Sequence, residues 1–534
     1  MADSGGKDTP FFVDLAGTQI SRRSLLKAAG ALGAAAAVSP LLAACGSGGT
    51  SSSASPSVAA ASPTKGGRLR LGVIGGSERD VVDPMQGMTQ PDNLRGRQIF
   101  EHLFEYDHKF NIQPHLALSA ESNDKADVWT VKLRPDVTFH NGKSFTAKDV
   151  VYTFRMITDP KYPNVAAESF AVVDRNRLKV IDDLTVQFGL KRPNADFQNS
   201  LAFIHAVILP EGYDAKNPVG TGPFTYGDFT PGDRSIFPGF KDYWGVGPYV
   251  DEVETIDFAD ITAMVNALQG GELDAASDLP AAQVKLVESA GFKSVTSETG
   301  KWNYIFWDTA IKPWSDVRVR QAMRLIMDRQ QLVDLALEGY GRVGNDMWGM
   351  VDPAYPTDFP QRTQDIEQAK SLLKQAGYPD LKFELLTAAV GTGAVEAAQV
   401  FAEQAKLASV AVTVKKLDVG VLWGDKYLTW PNGPGWYSAR WYLSQSVFCK
   451  SWNEPHWEEP GYWERIDEAY ATVDEAKRTE IIRESFKTDY DIGPWDVWSW
   501  ANMVDSCTTQ VQGMVPDASG IPFNAGFVNQ LWMT

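Results

Sequence analysis

Basic charge is scarce in this chain. Fifty Lys and Arg stand against 67 Asp and Glu, for a formal net charge of -17. Residues 1–44 hold Lys7, Arg22, Arg23 and Lys27 against Asp3, Asp8 and Asp14, so +4 - 3 = +1 falls there and the remainder sits at -18. So acidic a surface argues against nucleic acid as a partner, because phosphate backbones are held by basic patches. It also excludes surface charge as the means of staying on anionic lipid. Cysteine is scarcer still, with three in 534 residues, and neither zinc-type nor C-x-x-C spacing occurs. Cys449 and Cys507 are open to two readings, a disulfide in an oxidising compartment or two buried thiols, since sequence does not fix their Cα separation. The six histidines, His102, His108, His115, His140, His205 and His456, form no H-E-x-x-H, and no G-x-S-x-G elbow exists. Asn141-Gly142-Lys143-Ser144 looks like the end of a phosphate loop, but the first glycine of that motif would fall on Val137. Nothing singles out a nucleophile, an acid and base pair or a ligand set. The residues therefore predict no catalysis, no cofactor and no metal site.

Long apolar runs are also lacking, with one exception near the start. Ser21-Arg22-Arg23-Ser24-Leu25-Leu26-Lys27 leads into an Ala-rich run that ends at Leu42-Ala43-Ala44-Cys45. A basic n-region, an apolar h-region and a small-residue cleavage site are the parts of an export signal, and the paired arginines assign it to the twin-arginine route. Ala and Gly dominate residues 28–44, too weakly apolar for the span of about 20 residues that crosses a bilayer. Ala43 and Ala44 before Cys45 resemble the lipobox of bacterial lipoproteins, in which the cysteine is lipidated and becomes the first residue. Two acyl chains there would anchor the protein stably, where one would not. The expectation is a signal peptide over 1–44, lipid on Cys45, and a mature chain at the outer face of the cytoplasmic membrane or in the periplasm. Residues 45–65, nearly all Gly, Ser, Ala, Thr and Pro, read as a flexible tether.

The length suggests two to four domains or subdomains. Leu69, Leu71 and Val73 alternate with Arg70 and Gly72, predicting a strand with one buried face that ends at Gly75-Gly76. Trp129, Val131 and Leu133, and then Leu184, Val186 and Phe188, alternate likewise, and Asn141-Gly142 marks a tight turn. Thr146 opens a helix with Asp149 as a short capping box and Val150, Phe154 and Ile157 on one face. A helix from Ser315 or Asp316 carries Val319, Ala322, Met323 and Ile326, and Asp328 caps another. From Ile366 onward helix and strand alternate: a helix closed by Gly377, a strand Phe383 to Thr387, a helix near Val395 to Leu407, and a strand through Val410, Val412 and Val414. That is α/β order and implies a sheet with covered faces. A last helical stretch from Tyr462 to Tyr490 is interrupted near Asp474.

Aromatic residues are what the chain has in quantity. Of 17 tryptophans, seven lie between Trp423 and Trp463, and Trp495, Trp498 and Trp500 follow. Core packing accounts for part of them. The stretch Asn432 to Trp441 mixes Pro, Gly, Ser and Arg with aromatics and has no clean period, which reads as a loop of the kind that lines small-molecule pockets.

Several segments carry a resemblance. They are Pro114-His115-Leu116-Ala117, Arg134-Pro135-Asp136-Val137-Thr138-Phe139-His140-Asn141-Gly142, Phe145-Thr146-Ala147-Lys148-Asp149-Val150, Gly220-Thr221-Gly222-Pro223-Phe224, Ala267-Leu268-Gln269-Gly270-Gly271-Glu272-Leu273-Asp274 and Pro313-Trp314-Ser315-Asp316-Val317-Arg318. In this order they resemble the family 5 extracytoplasmic solute-binding proteins, the peptide, nickel and opine receptors of ABC importers. The resemblance implies an α/β, two-lobe periplasmic-binding-protein-like fold of type II. Lobe one would be 66–309, with an inserted subdomain near 110–225 and a return at 506–534, and lobe two 310–505. The hinge would lie near Trp307 to Pro313 and Met503 to Cys507. The implied function is capture of a peptide-class or other small organic solute by a monomer and its delivery to a permease with a cytoplasmic ATPase. A ligand sensor of the same fold is the alternative.

One departure bears on the ligand. Peptide-binding relatives have a W-x-A-D-Y pattern whose Asp pairs with the peptide amino terminus; here Tyr437-Ser438-Ala439-Arg440-Trp441 stands in its place. A guanidinium repels an ammonium and favours a carboxylate or phosphate. Arg440 thus suggests an organic anion, whereas Trp436 and Trp441 as stacking surfaces suggest a saccharide; Arg440 paired with a Glu or stacked on Trp441 would be structural. The candidate ligand residues are Trp436, Tyr437, Arg440 and Trp441, with Glu78 from lobe one as either a ligand contact or a solvated loop charge.

Overall fold

The computed structural model describes residues 62–87, 89–423, 426–437 and 453–534, together with the paired strand pieces Phe12–Val13 and Gln19–Ile20. Cys45, Arg440, Trp441 and Cys449 lie outside the described residues.

Leu69, Leu71 and Val73 are fully buried on the strand Arg68–Ile74, and Arg68 is exposed and Arg70 and Ile74 partly so on its other face, as the alternation predicts. The strand is central, running parallel to Glu252–Phe258 on one side and to Ala275–Ala276 on the other. Its second face is covered at Gly72, where a Cβ would come 2.5 Å from Leu273 Cδ1 and 3.0 Å from Met264 Cγ. The missing side chain that looks polar in an alternation count is the space into which those neighbours pack. The sheet runs Asp228–Thr230, Arg234–Pro238, Glu252–Phe258, Arg68–Ile74, Ala275–Ala276, Trp495–Cys507, Lys293–Trp307, Asn432–Tyr437, with Gly341–Val343 also on Trp495–Cys507.

Its two longest strands serve two sets of cores. Lys293–Glu298 pair antiparallel with Cys507 back to Asn502, the register slips at Thr299 and Gly300, and Lys301–Phe306 then pair with Ala501 back to Trp495. Cys507 packs with Leu69 and Leu71, and Val504 with Met264 and Leu268. Past the slip, Ile305, Trp307, Trp498 and Ala501 join the core of Val319 and Phe401, while Trp302, Tyr304, Phe306 and Trp500 join that of Trp348 and Tyr462. The change of core thus falls at the bulge, ahead of the 307–313 stretch.

On the amino-terminal side a separate antiparallel sheet orders Ala117–Ser122, Val128–Leu133, Thr185–Gly189 and Lys179–Asp182. The helix Ala147–Ile157 has its capping box at Thr146 and Asp149, as the spacing predicts, and Val150, Phe154 and Ile157 are fully buried. The Phe154 ring meets Phe170 and Phe188 edge-on at 5.1 and 4.9 Å. This core is continuous with that of Leu69 and Leu71. Asn141-Gly142 makes its turn with Gly142 at φ 79.

On the other side of the bulge, Asp316 caps Val317–Ile326, Asp328 caps Arg329–Ala336, and Gly377 at φ 87 closes Ile366–Ala376. Lys382–Thr387 and Ala411–Lys416 pair in parallel around the helix Ala394–Leu407. Asp474 breaks the last helical stretch by capping Glu475–Ile492 after Tyr462–Ala471 has ended. Among the described residues no helix is long and apolar enough to cross a membrane.

Candidate functional site

Parallel strands end together, and in open α/β sheets the crevice beyond their carboxyl ends is where ligands bind. Here Ile74, Phe258 and Ala276 end the three parallel strands on one edge. The same edge faces the bulge, because Ala276 pairs with Ser506 and the partner strand runs on toward Ala501.

The loop after Ile74 is tied down beneath its tip. Ser77 donates to Asp80 Oδ1 from its amide at 3.1 Å and from its hydroxyl at 3.0 Å. Asp80 in turn accepts from the buried Arg95 at 3.1 Å. That guanidinium also reaches Asp92 Oδ1 at 2.9 Å, Ser235 Oγ at 2.6 Å and the Asp257 carboxylate. Gly76 lies so close over Asp257 that a Cβ would come 2.3 Å from that of Asp257. Burial pushes Asp257 up to about 7 in spite of the adjacent Arg95. Glu78 is exposed at the tip of this loop.

At the bulge, Thr299 Oγ1 donates to the Ala501 carbonyl at 2.6 Å, and Arg342 Nη2 to the Thr299 carbonyl at 2.5 Å. Lys301 follows, 4% exposed. Its ammonium lies 3.9 Å from Asp278 Oδ2, in the turn after Ala275–Ala276, and 4.9 Å from the centre of the Trp436 ring. Asp278 is held at a left-handed φ of 45 by Asp505 Oδ1, which accepts its amide at 3.0 Å, while Asp505 Oδ2 accepts the Phe523 amide at 2.8 Å. Burial raises Asp278, and pushes Asp505 up to about 7 despite those two amides. Between roughly pH 4 and pH 7 the folded chain therefore keeps a proton on Asp505 that the unfolded chain has lost, so this group's stabilisation declines as pH rises through that window and is level above it. Asp505→Asn is expected to flatten the fall in stability between pH 5 and pH 7 relative to the parent, as read by urea unfolding at both values. Identical slopes for the two proteins would contradict the assignment.

The predicted aromatic loop is in part a strand. Asn432–Tyr437 pairs along Trp302–Trp307, and its glycines, which suggest a loop, are where rings press on the backbone. A Cβ at Gly435 would lie 2.3 Å from the Tyr304 ring, and one at Gly433 2.9 Å from Phe306. Trp436 is 4% exposed, donates its indole N–H to the Val390 carbonyl and packs on Gly391. Tyr437 is half-buried at the strand end nearest the bulge, paired with Trp302 and edge-on to its ring at 5.7 Å. Trp423, Trp457, Trp495, Trp498 and Trp500 are buried, and Trp430 and Trp463 lie against the same cores. Among the described residues Cys507 has no disulfide partner, and burial pushes its thiol up to about 11. No metal-holding group of His, Cys, Asp and Glu occurs among the described residues.

Sequence reasoning missed Lys301 and Asp278. The available signal was a lone cation after Gly300, opening the aromatic run Trp302 to Trp307.

The family model described as bacterial extracellular solute-binding proteins, family 5 Middle, matches residues 111–454. The model of the twin-arginine translocation pathway signal sequence matches residues 19–39. The oligopeptide-binding protein AppA of Bacillus subtilis (strain 168) is 28% identical over 339 residues, 60% of this chain and 61% of AppA. The glutathione-binding protein GsiB of Pectobacterium atrosepticum is 25% identical over 474 residues, 83% of this chain and 91% of GsiB. Among solved structures, the binding protein AgaA from A. tumefaciens R10 in complex with agropinic acid superposes with a TM-score of 0.72 at 23% identity, covering 88% of this chain and 99% of AgaA.

Proposed function

This chain belongs to the bacterial extracellular solute-binding proteins of family 5, and from that premise we propose that it is the lipid-anchored substrate-binding component of an ABC importer. It captures a peptide-class or other small organic solute between two lobes and hands it, unaltered, to the permease. The lobes are the parts either side of the bulge, and the hinge is the pair of long strands at Glu298–Lys301 and Ala501–Asn502. The observation that carries the reading is the division of those two strands between separate cores at the bulge, opposite the carboxyl ends of three parallel strands. A solute touching both sides gains contacts only in the closed form and so shifts the population toward it. Export by the twin-arginine route is supported by the matched signal, and anchoring by the small residues before Cys45.

Relatives named for oligopeptides and for glutathione, and a neighbour holding agropinic acid, support peptides and small organic acids as the first ligands to try. Thermal-shift screening of the mature chain against both classes and against oligosaccharides is expected to find one that stabilises by about 2.7 kcal/mol when present at roughly 100 times its dissociation constant. The ligand should then be recovered chemically unchanged. Turnover of the recovered compound would defeat the transport reading.

A further inference from the structure

The bulge holds a lysine that is ion-paired with Asp278 but has no hydrogen-bond acceptor among the described residues. Lys301 is 4% exposed, and an ammonium withdrawn from water is normally compensated by close pairing and full hydrogen bonding. Here the pairing is loose and the hydrogen bonding is missing among the described residues. Asp278 Oδ2 at 3.9 Å is beyond hydrogen-bond reach. The Trp436 face at 4.9 Å attracts a cation but offers it no lone pair. Among the described residues the three N–H donors of Lys301 thus meet no acceptor, while its amide donates to Thr299 Oγ1 at 2.8 Å and its backbone pairs with Ala501. Next to Ala501, Asn502 Oδ1 is buried without a donor among the described residues. Asp278 belongs to the turn beyond the first lobe's parallel strands and Trp436 to the edge strand of the second, so a group lodged against Lys301 touches both halves.

Resting on the binding reading above, we propose that Lys301 is a specificity-determining residue of the cleft, its ammonium receiving a carboxylate of the bound solute, with the Asp278 carboxylate beside it accepting an N–H of the same molecule. A neutral sugar satisfies neither charge. A solute with a carboxylate and a nearby amide or amine N–H satisfies both, and adds the hydrogen-bond acceptor that the described residues do not supply to Lys301. Most of the burial of the Lys301 side chain is in place before the solute arrives, which favours an anion over its neutral analogue.

The test uses matched pairs: trialanine, tetraalanine and glutarate, each as the free acid and as the corresponding carboxamide, titrated calorimetrically into the mature chain. In at least one pair the acid should bind about tenfold or more tightly than its amide. Lys301→Met should bring that ratio close to one, and Lys301→Arg should retain part of it. Lys301→Gln, which keeps most of the stem and a polar end, gives the same reading if the methionine variant unfolds. Equal binding of acid and amide by the parent in every pair, or an acid preference that survives in the methionine or glutamine variant, overturns the proposal. A lysine that merely neutralised Asp278 would alter the melting temperature and leave the ratio untouched. Saccharide capture without any acid preference removes Lys301 from recognition while leaving the solute-binding reading intact.

Discussion

Arg95→Met is expected to lower the stability of the mature chain by about 3–5 kcal/mol at pH 7, the cost of breaking a buried ionic cluster by removing one partner. Arg95 is fully buried and serves Asp80, Asp92 and Asp257 at once, with side-chain exposures of 0%, 3% and 0% for the three acids. Methionine fills much of the same volume beside Phe229, whose ring lies 4.9 Å from the guanidinium carbon, so packing is largely retained and the loss is electrostatic. Three carboxylates are then left together in a dry site, where each opposes the ionisation of the others. Burial already raises Asp92 and holds Asp257 at about 7 with the arginine in place; without it they rise further. The folded variant then binds more protons than the unfolded chain, so its stability increases as pH falls. The deficit should be larger at pH 7 than at pH 5, as measured by urea denaturation. A variant with parental stability at pH 7, or a deficit that grows on acidification, would show that the cluster is not held by Arg95.

Changing Arg22 and Arg23 to lysine together is expected to abolish export, leaving uncleaved precursor in the cytoplasm. Charge is kept in this variant, so only a route that reads the paired guanidinium groups is blocked. Cys45→Ala is the complementary change: it leaves the signal intact and removes the proposed site of lipidation, and the exported chain should move from the membrane to the soluble fraction because two acyl chains supply the stable anchor. Immunoblots of cytoplasmic, membrane and extracytoplasmic fractions read both. Export of the dilysine variant at the parental level would contradict the twin-arginine assignment, and continued membrane association of the alanine variant would contradict the anchor.

The contrast between what could be read from residue order and what could not is visible at single positions. Thr146 with Asp149, Asp316, Asp328, Asp474 and Gly377 mark helix ends where the sequence places them, because a cap is satisfied by atoms within a few residues. The order of helix and strand after Ile366 was legible for the same reason. Gly72, Gly433 and Gly435 misled, since a glycine that reads as a loop or a polar gap was in each case making room for a side chain brought from elsewhere.

By itself the sequence determined the export signal, the family and the α/β class, together with the acidic balance that argues against nucleic acid as a partner; these rest on composition and on patterns closed over short spans. Only the tertiary structure decided that the change of core falls at Thr299 and Gly300, that most of the described tryptophans after Trp423 are buried, and that Asp278, Lys301 and Trp436 meet. Those three side chains come from separate strands and turns with no local signal between them. Their meeting is fixed by sheet register, which depends on every strand in the sheet and not on any one stretch of chain.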